Sequence, residues 1–185
     1  MRLRIGLDID DTICSFYGPY FKRFGIPKRD SEITRNVSRV LIKDKNFWMN
    51  LPVINRPNFI PALYCTKRVH PKAWSKKFLE ENSLPIAPIY QILCQSTSKA
   101  PRIMGRVDVF IDDSISNFID LNLKGVPCLL MNGPHNQSWG PYARIYNLDE
   151  DEIEYCFDLF KSTLYPNFRE LVNDYRQQML RRDSC

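Results

Sequence analysis

An apolar run, Leu3-Arg4-Ile5-Gly6-Leu7, ends abruptly in Asp8, Asp10, Asp11 and Thr12, three carboxylates and a hydroxyl in close succession. The pattern repeats further on, where Arg106-Val107-Asp108-Val109-Phe110-Ile111 runs into Asp112, Asp113 and Ser114. Between them Ile60-Pro61-Ala62-Leu63-Tyr64-Cys65 ends in Thr66-Lys67-Arg68. Acids at the end of a buried strand either close an ordinary turn or need a cation or an anionic reaction partner to organise them. Open parallel sheets collect functional groups at the carboxyl ends of their strands, so these clusters are expected to meet at one sheet edge.

Taken together the three clusters resemble the haloacid dehalogenase superfamily of phosphotransferases, whose motifs run DxDx[TV], then Thr or Ser, then Lys or Arg, then paired acids. The resemblance implies an α/β fold, a three-layer Rossmann-like parallel sheet with a small helical cap inserted after the first strand. It makes Asp8 the nucleophile that forms an aspartyl-phosphate, and Asp10 the acid that protonates the leaving alcohol and then deprotonates water. Oxygen-only ligands beside a phosphate suit Mg²⁺, with Asp8, the Asp10 carbonyl and Asp112 as ligands and Asp113 acting through water. Thr66 would donate to a phosphoryl oxygen. The family's basic residue points to Lys99, with Arg102 and Arg106 as competitors because the segment is shorter than usual.

Asp8 to Thr12 followed by Phe16-Tyr17, the stretch Asn46 to Pro52, and Met131-Asn132-Gly133-Pro134-His135-Asn136 look like the 5′(3′)-deoxyribonucleotidase branch. That branch carries Gly-Val after its second Asp where this chain has Asp11-Thr12. The substrate expected is a phosphate ester, best guess a nucleoside monophosphate, contacted by Thr12, Lys67, Phe16, Phe47 and Trp48. Phe47 and Trp48 either stack the base or are plain cap core. The other readings are a polynucleotide or sugar-phosphate phosphatase and a retired, non-catalytic binding protein. His70 and His135 are expected on the surface or in loops, His135 with an opening for a pocket-rim role.

Composition sets outer limits. With 185 residues there is room for one real core plus a small insertion. No apolar run reaches the length of a membrane span and charges break up the N-terminus, so a cytoplasmic protein is expected. Six cysteines without a CxxC pair read as buried thiols, neither a disulfide scaffold nor a zinc site. The net charge of +5 is spread over Lys67, Arg68, Lys72, Lys76, Lys77 and the tail residues Arg176, Arg181 and Arg182, too thinly for extended nucleic-acid binding. The sequence leaves the oligomeric state open between monomer and homodimer.

The elements needed to position these residues follow from periodicity and turn signals. Strands are expected over 3–8, 61–65, 88–94, 107–112 and 126–131. Helices are expected over 15–24, 31–50, 71–82, 99–105, 114–123, 149–161 and 166–182, with Ser114 as a cap and Gly25 and Gly125 as stops. The 58 residues from Asp8 to Thr66 exceed one crossover helix. The division that results is a core of 1–15 and 57–185 and a cap of 16–56, unless the inserted segment is an elaborate part of the core.

Overall fold

The structure, a computed structural model, describes residues 2–182 except 95 and 141. Strand and helix alternate from the start: β1 (Ile5–Leu7) is followed by α1 (Tyr17–Phe24), α2 (Asp30–Arg39) and α3 (Lys45–Met49), then β2 (Leu63–Thr66) and α4 (Lys72–Glu81). Next come β3 (Ile89–Gln91), α5 (Ala100–Ile103), β4 (Val109–Asp112), α6 (Ile115–Leu123) and β5 (Cys128–Met131). The chain closes with β6 (Arg144–Ile145), α7 (Glu150–Thr163) and α8 (Phe168–Arg182). The six strands form one sheet in the order β3-β2-β1-β4-β5-β6, and every neighbouring pair is parallel. Such a sheet needs helices on its faces, and β1, β2, β4 and β5 are accordingly buried at every residue.

The winding direction reverses between β1 and β4, the place where open α/β sheets leave a crevice at their carboxyl edge. Register aligns that edge: Leu7 lies opposite Tyr64 on one side and Ile111 on the other, and the Asp8 amide donates to Ile111 O at 2.9 Å. The first acid cluster thereby ends level with the second. Close packing behind it leaves no room at Gly6, where a Cβ would stand 2.7 Å from both the Phe110 ring and a Val107 methyl.

The α/β alternation and the parallel sheet agree with the sequence, and the differences have local causes. The expected helix over 31–50 breaks into α2, a 3₁₀ turn at Leu41–Lys43 and α3, because Asp44 accepts from the Phe47 amide and restarts the helix. The sixth strand went unexpected, being two residues long behind a Gly- and Pro-rich loop. Cys94 departs from the buried-thiol expectation: it is exposed, whereas Cys14, Cys65 and Cys128 are buried and Cys156 is intermediate. Cys185 lies outside the described residues.

The inserted segment is stitched back onto the turn after β1. Ser15 N donates to Pro52 O, Ile54 N to Ile13 O, and the Asn55 side chain to Thr12 O. Phe16, Tyr20 and Trp48 carry the apolar cluster of the sheet into this segment. No helix among the described residues is long and apolar enough to cross a membrane.

Candidate functional site

Asp8 follows β1, Asp112 ends β4 and Asp113 follows it, so sheet register alone brings three buried carboxylates together. Each offers an oxygen within 4.8 Å of the others. One ammonium answers them: Lys99 Nζ lies 2.9 Å from Asp8 Oδ1 and 2.7 Å from Asp112 Oδ2, from the residue that opens α5. Burial by itself would strip Lys99 of its proton, but Asp112 and Asp8 hold the charge and raise its pKa above that of an ordinary lysine. Arg102 and Arg106, the competitors for this place, are both exposed.

Three acids against one cation leave the cluster short of positive charge. Burial first, then neighbouring acids, push Asp8 and Asp113 well above the usual carboxylate range, against the pull of Lys99. Asp8 Oδ1 is buried without an aligned hydrogen-bond donor. An all-oxygen donor set with more acid than cation charge fits a hard divalent cation. Asp112 is better satisfied, since its Oδ1 accepts from the Ser114 amide at 3.0 Å and the Asn117 side chain at 3.1 Å. Lys67 extends that chain by donating to Asn117 Oδ1 at 2.8 Å, and burial followed by the nearby Lys99 charge lowers its pKa.

The Asp10 carboxylate stands outside this trio. It turns to Arg68, whose Nε lies 3.0 Å from both carboxylate oxygens and whose Nη2 lies 2.7 Å from Oδ1. Asp11 occupies the left-handed region at φ 52°, which Asp tolerates better than most side chains. Its Oδ1 accepts from the amides of Phe16 and Tyr17 at 3.0 and 3.4 Å, so the residue both makes the sharp turn after β1 and caps the start of α1. Burial, then Asp113 and Asp10, push the Asp11 carboxyl up to about 7.

A cavity of about 390 Å³ opens over these groups, within the range of roughly 300–1,000 Å³ usual for small ligands. Its polar lining comprises Asp8, Asp10, Asp11, Asp113, Lys67, Arg68 and Lys99 together with Thr34, Ser114, Ser116 and Asn117. Phe16, Tyr17, Ile33, Val37 and Trp48 bring an apolar wall from the inserted segment. Of the residues expected at the site, Asp8, Asp10, Lys67, Lys99, Asp113, Phe16 and Trp48 line the cavity. Asp112 and Thr66 lie directly beneath, both fully buried, and Thr66 Oγ1 accepts from the Arg68 amide at 3.3 Å. Thr12 is also fully buried, with no partner for its hydroxyl, and does not line the cavity. Phe47 stands behind the wall, edge-on to Phe16 and Trp48.

Both histidines differ from a plain surface placement. His70 is 1% exposed, wedged between Trp48 and Trp74 at centroid distances of 4.5 and 5.4 Å. Burial, reinforced by the Arg68 charge, drives its pKa down to about 4. His135 lies against two residues that line the cavity, its Nε2 2.7 Å from Asp113 Oδ2 and its ring 5.0 Å from that of Tyr17. The loop that carries it is pinned by Asn136, which donates to Asp113 O at 2.7 Å and accepts from Arg144 of β6 at 2.6 Å.

Arg68 is the residue that reading the sequence passed over as one basic charge among many. It lies just past the end of β2, where no strand or helix period marks the direction of its side chain. No protein-family model matches this chain, and a comparison with curated proteins returns no match.

Proposed function

We propose that this chain is a divalent-cation-dependent phosphomonoesterase of the haloacid dehalogenase type, acting through an aspartyl-phosphate on Asp8. The observation that carries the reading is the Lys99 bridge between Asp8 and Asp112 at the floor of a cavity with three mutually close carboxylates. Asp8, Asp112 and Asp113, with the Asp10 carbonyl, would hold Mg²⁺, which when bound neutralises phosphoryl oxygens and the surplus acid charge. Lys99 orients the Asp8 carboxylate and adds positive charge where the phosphoryl group sits. Lys67 and the Thr66 hydroxyl supply further donors on the β2 side.

The chemistry proceeds in two displacements. An Asp8 oxygen bonds to phosphorus while the ester P–O bond breaks, and the alcohol oxygen leaves with the bonding pair and a proton from Asp10. Water then attacks phosphorus, gives its proton to Asp10 and releases phosphate with the Asp8 carboxylate restored. Phe16, Tyr17, Ile33 and Val37 provide an apolar surface beside the acids, which supports a compact ester with a flat or apolar leaving part, best matched by a nucleoside monophosphate. A screen of nucleoside monophosphates, sugar phosphates and a 3′-phosphorylated oligonucleotide, with and without Mg²⁺, tests this reading. Mg²⁺-dependent release of phosphate from the mononucleotides above the others supports it; release from none overturns it.

A further inference from the structure

Asp10 keeps 23% of its side chain open, yet its partner is among the most buried cations in the molecule. The Arg68 side chain has no exposed surface. Its guanidinium carbon lies over the Trp48 ring at 5.2 Å and over the Phe78 ring at 5.3 Å. Nη2 reaches the Cys14 sulfur at 2.9 Å, and the Arg68 carbonyl accepts from Gln91 at 2.7 Å. A fully buried planar fork packed over two rings and held at its nitrogen and its backbone has little freedom, so the carboxylate it grips is placed with equal definition. Arg68 Nη1 is buried with no hydrogen-bond partner, an expensive arrangement for a group whose only service is packing.

We propose that Arg68 is a positioning residue for Asp10, fixing the carboxylate that exchanges a proton with the leaving alcohol and the attacking water. The inference rests on the phosphatase reading above and adds to it a part played from beneath the site. Because Arg68 acts through Asp10, its loss matters most where the leaving oxygen needs that proton. An alkyl phosphate expels a strongly basic alkoxide and needs it; 2,4-dinitrophenyl phosphate expels a stable phenolate and does not. The ratio kcat/KM reports only steps up to formation of the aspartyl-phosphate, so the later hydrolysis, common to both esters, does not blur the comparison.

The test compares wild type, Arg68→Met, Arg68→Lys, Asp10→Asn and the double variant Arg68→Met/Asp10→Asn on a nucleoside monophosphate and on 2,4-dinitrophenyl phosphate, with thermal midpoints alongside. Arg68→Met should lower kcat/KM for the nucleotide by about 10²-fold or more, the usual size of a proton-transfer contribution, and for the aryl ester by less than about 10-fold. Added to Asp10→Asn it should cost nothing further, since the two act as a unit. Arg68→Lys keeps the charge without the fork and serves if the Met variant fails to fold; it should show the same bias toward the aryl ester. Equal losses on both esters, or additive losses in the double variant, would overturn the proposal and leave the phosphatase reading standing. Wild-type inactivity on both esters would overturn the two together.

Discussion

Lys99 and Asp112 form an ion pair in which neither side chain has more than 1% of its surface exposed, with Nζ 2.7 Å from Oδ2. Removing one partner of such a pair leaves a buried charge without compensation, which costs about 3–5 kcal/mol. Lys99→Met is therefore expected to lower thermal stability markedly in the absence of metal. The same change removes a cation that competes for Asp8 and Asp112, so Mg²⁺ should raise the variant's midpoint more than that of wild type. Thermal scans with and without Mg²⁺ check this; a variant as stable as wild type without metal would show that the ammonium is not what holds these acids together.

Trp48 serves packing as much as the cavity. It is 2% exposed, its Nε1 donates to Leu41 O at 2.7 Å, and its ring stacks on Phe16 at 5.8 Å. Trp48→Ala is expected to cost about 3–5 kcal/mol and to lower activity on nucleotides and sugar phosphates alike, with 2,4-dinitrophenyl phosphate less affected, since Arg68 loses the ring it lies over. A loss confined to nucleotides, with an unchanged thermal midpoint, would make Trp48 a base-stacking platform instead.

His70 sets a pH limit on stability. Its folded pKa of about 4 lies below the ordinary 6.5, so the unfolded chain takes up a proton that the folded chain refuses. The stability tied to the neutral ring is complete above about pH 6.5 and is lost as pH falls toward 4, at most about 3 kcal/mol over that window. His70→Phe keeps the stack between Trp48 and Trp74 and abolishes the titration, so its denaturation midpoint should fall less than that of wild type between pH 7 and 4. Parallel acid profiles for the two proteins would contradict the assignment.

Much of this was legible in the residues themselves. Apolar runs ending in Asp8, Thr66 and Asp112 marked three strands, and parallel-sheet topology brought their ends together without knowledge of any side-chain contact. Lys99 was singled out through the family resemblance and not through its own surroundings, and the structure is what places it against the acids. The Arg68–Asp10 pairing joins residues 58 apart through a burial pattern that no local period records. His70 lies in a loop, as expected, yet is buried there because its slot is made by Trp48 from the inserted segment and Trp74 from α4, a tertiary meeting invisible to spacing. The part played by Asp11 is likewise seen only in three dimensions, where its carboxylate accepts from the amides of Phe16 and Tyr17 at the start of α1.

The acid cluster also predicts a choice among metals. Excess chelator should abolish turnover and Mg²⁺ should restore it, whereas Ca²⁺, with its longer bonds and higher coordination, should bind and fail to support in-line displacement. Calorimetric titration of each metal alongside activity separates binding from function. Full activity in chelator would remove the cation from the account.

The central claim is that Asp8 becomes phosphorylated, and acid quenching after mixing with a substrate carrying a labelled phosphoryl group measures it most directly. Wild type should carry label on Asp8 during turnover, in a bond cleaved by hydroxylamine as an acyl phosphate is. Asp10→Asn, slowed in the hydrolysis step, should accumulate more label with an aryl ester, and Asp8→Asn should carry none and turn nothing over. Turnover by Asp8→Asn, or wild-type turnover with no trappable label under conditions where Asp10→Asn also shows none, would contradict the account.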